Sequence, residues 1–322
     1  MQNTTVLVTG GTGFVAVNII AQLLKQHYTV KTTLRSLNRK DEILRALNEA
    51  GVNDFSNITF YEADLLSDAG WNEAAQDCGY VLHTASPFVA EEPKDESEMI
   101  IPARDGALRV LKAAKKAGVK RVILTSSFAA IGYSIPPDNH IFTEDDWTDE
   151  NTPLPAYIKS KTIAEKAAWD FIKAEGGAME FAVINPVGIF GPFIGNITSA
   201  SLDTVVKGIV EGTIKENAPF TFGVVDVRDV VDIHIKAMNH PRANGQRFLA
   251  TAEGAMSFYD VAELIKKERR HLAAKIASMQ PTPVERYLVL SNRNAVETLD
   301  WQPRTKEESI LATVDSYTQQ NA

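Results

Sequence analysis

Short β-branched runs alternate with amphipathic stretches through the first half of the chain. Residues 5–9, 29–34, 58–61, 80–83 and 121–125 read as strands, and 13–26 and 39–49 as helices. A longer helical pattern covers 96–117, bent near Pro102 and stopped by Gly118 where a C′ glycine belongs. Strands separated by crossover helices predict a parallel sheet covered on both faces, an α/β doubly wound fold.

From 134 to 155 the periodicity stops. Pro136, Pro137, Pro153 and Pro155, with Glu144, Asp145, Asp146, Asp149 and Glu150, predict a solvated loop with surface charge. No histidine or cysteine joins those acids at ligand spacing, so no metal is expected. Residues 157–174 return to a helical pattern and 180–184 to a strand. Beyond Pro186 the chain turns irregular, with Gly188, Gly191, Pro192 and Gly195 close together, as in a ligand-facing lobe after a strand end.

The 322 residues suffice for two domains or one large α/β unit. A net charge of −8 lacks the electrostatic footprint of a nucleic-acid binder. Cys78 stands alone, which fits a reducing compartment and a small buried filler. The most apolar stretch, 14–24, is too short to span a bilayer and is broken by Asn18 and Gln22. Residues 1–5 lack a charged leader and run straight into a strand, so a signal peptide is not expected and a cytoplasmic location is.

The first strand runs into Gly10-Gly11-Thr12-Gly13-Phe14-Val15-Ala16 and then a helix. Gly10 suits the tight turn, Gly13 the close approach of backbone to a pyrophosphate, and Ala16 close helix–strand packing. The helix N-terminus offers N–H groups and a positive dipole end to that anion. The second strand would carry an acid for the ribose 2′-hydroxyl of NAD. Here it ends in Arg35, with Arg39 and Lys40 following and no acid before Asp41. A guanidinium suits a 2′-phosphate, so the cofactor is read as NADP(H). Asp64 and Leu65, past the third strand, are placed to meet the adenine edge.

Tyr157 and Lys161 are four apart on a predicted helix and share a face. Ser127 follows the fifth strand, at the carboxyl edge where such sheets bind ligands. Carbonyl reduction needs a polariser for the oxygen, a proton donor and a hydride source. A phenol keeps its proton at neutral pH, and a neighbouring ammonium stabilises the phenolate left after donation. His83 and His234 read as structural histidines, and Asp226, Arg228 and Asp229 as an ion-paired turn.

These motifs, with His83-Thr84-Ala85-Ser86-Pro87, Thr125-Ser126-Ser127, Tyr157-Ile158-Lys159-Ser160-Lys161, Ala164-Glu165-Lys166-Ala167-Ala168-Trp169 and Asn185-Pro186-Val187-Gly188-Ile189-Phe190-Gly191-Pro192, resemble the extended short-chain dehydrogenases/reductases. Within them the chain is similar to the dihydroflavonol reductase and cinnamoyl-CoA reductase branch, which includes microbial aldehyde and ketone reductases. The likeness runs down to Leu299-Asp300-Trp301-Gln302-Pro303-Arg304-Thr305. It implies a Rossmann-type domain over 1–186 plus about 222–251, and a smaller substrate lobe over about 187–221 plus 252–322.

By the resemblance, Ser127 matches the catalytic serine, Tyr157 the proton donor, counted also among the cofactor-binding residues, and Lys161 the residue that binds the nicotinamide ribose. Thr84, Ala85, Ser86, Pro186 and Val187 match backbone along the ribose and nicotinamide. Departures are Ala16 and His27, where many members have glycine, and Arg109, where many carry asparagine and which receives no role. Thr152-Pro153-Leu154-Pro155-Ala156 replaces a segment rich in Trp, Tyr and Cys, which argues against a CoA thioester substrate.

The expectation is therefore an NADPH-dependent carbonyl reductase acting on a hydrophobic or aromatic aldehyde or ketone. Phe88, Phe128, Tyr133 and Phe193 are its candidate substrate residues. Its partner is a small-molecule carbonyl, with no nucleic acid and no membrane, and the protein acts as a monomer or homodimer. Two alternatives stand beside it. One is a sugar-nucleotide epimerase or dehydratase holding NAD; the other is an NADP-sensing binding protein.

Overall fold

The computed structural model describes residues 4–87, 93–138 and 140–320. In chain order the elements begin β1 (Thr5–Val8), α1 (Phe14–Lys25), β2 (Thr29–Leu34), α2 (Lys40–Glu49), β3 (Ile58–Glu62), α3 (Trp71–Ala75) and β4 (Tyr80–His83). They continue α4 (Ser97–Lys116), β5 (Arg121–Thr125), β6 (Ile141–Phe142), α5 (Ala156–Glu175), β7 (Glu180–Pro186) and β8 (Gly188–Phe190). Then follow α6 (Lys207–Val210), β9 (Phe222–Asp226), α7 (Val227–Asn239), β10 (Arg247–Ala250) and β11 (Ala255–Met256). The chain closes through α8 (Phe258–Glu268), β12 (Val289–Leu290), α9 (Arg293–Leu299) and α10 (Lys306–Gln320).

Among the described residues the central sheet has seven strands in the order β10-β7-β5-β4-β1-β2-β3, every pair parallel. Strand order reverses between β1 and β4, which opens a crevice at their carboxyl ends. Alternate residues feed the two faces. Val6 and Val8 join the core under α1, α2 and α7, whereas Leu7 joins the core under α3, α4 and α5. On β7, Phe181 and Val183 face α5, and the same alternation sends Asn185 there.

A third core lies toward the C-terminus. Phe190, Val206, Ile209, Val224, Val261, Ile265, Ile310 and Val314 pack together around a small sheet of order β11-β9-β8. β9 pairs in this sheet, while α7, which it leads into, supplies Val230 and Ile233 to the large one.

The sequence pattern and the structure differ in a few places. The stretch after Pro186 is ordered at once into β8, because Gly188 to Phe190 find partners on β9. Arg39 belongs to a short turn before α2. The described part of the segment 134–155 is docked rather than merely solvated. Phe142 and Thr148 are buried, and Ile141 and Phe142 pair with Val289 and Leu290. Three of its five acids are engaged: Glu144 accepts from Leu249 N at 2.8 Å, Asp146 meets His140 at 3.0 Å, and Glu150 pairs with Lys166, whereas Asp145 and Asp149 are exposed, as expected of surface charge. Arg109, given no role, clamps the turn after β3, donating to Leu65 O at 2.7 Å and pairing with Asp68. Among the described residues no helix is long and apolar enough to cross a membrane.

Candidate active site

Thr9, just past β1, ties two strand ends together. Its Oγ1 lies 2.8 Å from His83 Nδ1 and accepts from Thr84 N at 3.1 Å and Ala85 N at 3.0 Å. Thr84 Oγ1 returns a bond to Thr9 O at 2.5 Å. Gly10 follows with φ of +72°, and a Cβ there would stand 3.0 Å from Ala85 Cα, so backbone conformation and space both demand glycine. Gly10 N donates to Thr33 Oγ1 at 3.0 Å and Gly11 N to Thr33 O at 2.9 Å, which fastens the loop to β2.

Gly13 is exposed at the N-cap of α1, where no side chain caps the helix and its first turn carries no acid. Thr12 and Val15 are half-buried beside it and Phe14 is anchored in the core. The helix N-terminus thus remains available to an outside anion, and the loop fits a dinucleotide pyrophosphate.

Arg35 leaves β2 exposed, and Lys40 opens α2 with its ammonium 5.4 Å from the Phe60 ring centre. Arg39 is committed to Glu42 through two 2.8 Å bonds, whereas neither Arg35 nor Lys40 has an ion-pair partner among the described residues. Glu62, at the end of β3, accepts instead from Leu37 N at 3.3 Å. Asp64 is fixed by Leu66 N at 2.9 Å and Trp71 Nε1 at 3.0 Å, and Leu65 packs so closely on Gly106 that a Cβ there would lie 2.8 Å away.

Ser127 heads the turn 128–130 past β5, its Oγ accepting from Ala129 N at 3.1 Å. Tyr157 stands in the first turn of α5, 36% exposed. Lys161, one turn on, holds Nζ 5.7 Å from the Tyr157 ring centre. α5 is bonded to the serine turn by Thr162 Oγ1, which donates to Ala129 O at 3.3 Å. Lys161, His83, Ala85, Ser86 and Ser126 line one small cavity. Burial pushes the His83 imidazole down to about 3, and the Lys161 charge acts in the same direction. Pro186 ends β7, which pairs with β5, and Val187 follows it, buried in the first core.

The aromatic candidates divide. Phe128 is buried, with Tyr133 5.7 Å and Phe142 5.4 Å from its ring centre. Tyr133 is half exposed on the same side; desolvation raises its phenol pKa and the neighbouring Tyr157 adds to the rise. Phe193 packs between the first and third cores, in a segment that leads away to a groove of about 530 Å³ lined by Ile194, Asn18, Lys25, Arg228 and Arg304. Phe88 lies outside the described residues.

His234 bonds Thr125 Oγ1 at 2.7 Å and Val230 O at 2.6 Å, and burial pushes it down to about 4. Asp226 pairs with Arg228 and Asp229 with Arg304. Sequence reasoning missed Glu165, Asn185 and Arg247, which meet beneath Ser127. Glu165 and Asn185 stand within the motifs quoted above, where no role was given to them, and nothing local marks Arg247.

Residues 6–250 match the NAD dependent epimerase/dehydratase family. Cinnamoyl-CoA reductase CAD2 of Medicago truncatula is 32% identical over 97% of this chain and 94% of its own. Ketoreductase azaE of Aspergillus niger is 34% identical over 84% of each. The NADPH complex of Gre2 from Candida albicans superposes with a TM-score of 0.86 at 29% identity, covering 99% of this chain and all of its own. The chain belongs to the NAD dependent epimerase/dehydratase family of extended short-chain dehydrogenases/reductases.

Proposed function

We propose that the chain is an NADPH-dependent carbonyl reductase that converts a hydrophobic or aromatic aldehyde or ketone to the alcohol. Lys161 standing over the Tyr157 ring, on a helix bonded to the turn that Ser127 heads, carries this reading. The reductase relatives and the NADPH complex among similar structures support it.

Gly10, Thr12, Gly13, Phe14 and Val15 would hold the pyrophosphate, Arg35 and Lys40 the 2′-phosphate, and Asp64 and Leu65 the adenine. Thr84, Ala85, Ser86, Pro186 and Val187 would line the ribose and nicotinamide, with Lys161 on the ribose hydroxyls. The chemistry that bound NADPH supplies is hydride donation to the carbonyl carbon. Ser127 donates a hydrogen bond to the carbonyl oxygen, and Tyr157 gives that oxygen its proton as the alcohol forms. Lys161 stabilises the tyrosinate left behind, and positioned acid catalysis of this kind contributes about 10²–10⁴ in rate. Phe128 and Tyr133 would give the substrate an apolar wall. Residues 1–186 with about 222–251 would serve the dinucleotide, and about 187–221 with 252–322 the substrate.

Purified protein offered NADPH and NADH in parallel, with benzaldehyde, acetophenone and methylglyoxal, tests the proposal. NADPH-selective oxidation is expected. Failure with every carbonyl, together with NAD retained through purification, would move the function to epimerisation.

A further inference from the structure

Beneath the reacting groups, α5 and the serine-bearing strand end are joined by buried polar groups that the mechanism does not use. Glu165 lies one turn beyond Lys161 and is fully buried. Its Oε2 accepts from Ser126 Oγ at 2.5 Å and from Asn185 Nδ2 at 2.7 Å. Its Oε1 accepts from Arg247 Nε at 2.7 Å and from Trp169 Nε1 at 3.4 Å. Ser126 is the residue before Ser127, and Asn185 Nδ2 also donates to the Ser127 carbonyl at 3.2 Å.

Arg247 anchors the carboxylate from the far side. It rises from β10, donates to the carbonyls of Glu144 and, at 2.8 Å, Asp146, and lies 3.7 Å from the Trp147 ring centre. The pair is almost sealed from water, with Glu165 at 0% and Arg247 at 9% exposure.

Such a pair is a poor device for stability alone, because desolvating two charges offsets most of their attraction and apolar side chains of like volume often do better. Asn185 adds a further cost. Its Oδ1 is buried and has no hydrogen-bond partner among the described residues. Turning the amide over would aim that oxygen at the Glu165 carboxylate, so Nδ2 is held toward Glu165 and Ser127. The arrangement spends stability on the place of the Ser127 backbone relative to one turn of α5.

We propose that Glu165 is a positioning residue. Held by Arg247, its carboxylate fixes the 126–127 backbone and Asn185 against the helix that carries Tyr157 and Lys161, and so sets the separation of the hydroxyls of Ser127 and Tyr157. This rests on the reading of Ser127, Tyr157 and Lys161 as the reacting groups. An error near 1 Å in such a separation costs about 10² in rate.

Two variants test it. Glu165→Gln keeps the volume but sets an amide N–H against donors, and Ser126→Ala removes a single bond to Glu165. Each is assayed for NADPH binding by fluorescence, for melting temperature, and for kcat per NADPH-binding site with the wild type's fastest carbonyl from the panel above. We expect NADPH affinity within about twofold of wild type, kcat about 10²-fold lower in Glu165→Gln, and kcat about tenfold lower in Ser126→Ala. A merely structural role would lower the melting temperature and leave kcat per site unchanged, which would overturn the proposal. Should Glu165→Gln not fold, Ser126→Ala decides alone, and kcat within about twofold of wild type overturns it. Tyr157→Phe runs alongside. If that variant stays active, the reading of the reacting groups fails; if it is inactive while Ser126→Ala matches wild type, the positioning role alone fails.

Discussion

Lys161 Nζ stands 5.7 Å from the centre of the Tyr157 ring, one turn along the same helix. A cation there stabilises a phenolate more than a phenol, so its benefit grows as the proton leaves. Lys161→Met should lower kcat by about 10²–10⁴. It should also weaken NADPH binding, since the same ammonium is assigned to the ribose hydroxyls. Steady-state kinetics and a fluorescence titration check both effects.

Arg35 is the exposed cation at the end of β2, free of any ion-pair partner among the described residues. Hydrogen bonds to a charged partner contribute about 1.5–3 kcal/mol. Arg35→Ala should therefore weaken NADPH about 10- to 100-fold and leave NADH nearly unchanged. Equal losses for both cofactors would contradict the assignment.

Gly10 combines a φ of +72° with Ala85 Cα 3.0 Å from where a Cβ would sit. Gly10→Ala should cost about 1–3 kcal/mol in backbone strain and push the loop off the 83–85 segment. Both the urea midpoint and NADPH affinity should fall, the second more steeply than in Arg35→Ala.

His83 and His234 are buried and neutral, pushed down to about 3 and about 4. Their folded values lie below the unfolded value near 6.5, so the unfolded chain binds the extra protons. Stability is complete above about pH 6.5 and falls as pH drops toward 4, by about 1.4 kcal/mol per pH unit for each ring. Urea titrations between pH 7 and 4.5 should show this slope, and His83→Gln should roughly halve it. A flat profile would contradict the burial of neutral imidazoles.

Much of the site was legible because its signals are local. Gly10, Gly13 and the strand before them have the spacing expected of a phosphate loop, and Tyr157 with Lys161 shares a helix face by arithmetic. The missed parts depend on partners far along the chain. Arg247 reaches back about a hundred residues to the carbonyls of Glu144 and Asp146, so a stretch rich in proline and acid looked solvated although it is docked. β6 and β12 are two residues each and exist only through each other, which leaves no periodicity to read. Phe193 is an aromatic in a glycine-rich stretch, and its packing against two cores depends on partners that its own neighbourhood does not announce.

The most direct test is Tyr157→Phe in the NADPH assay, with cofactor binding measured on the same sample. Tyr157 is partly exposed in the first turn of α5, so losing its hydroxyl should leave the fold intact. The predicted result is NADPH binding equal to wild type with carbonyl turnover lower by about 10²–10⁴. Turnover equal to wild type would contradict the assignment of Tyr157 as proton donor, and with it the reaction assigned to this crevice.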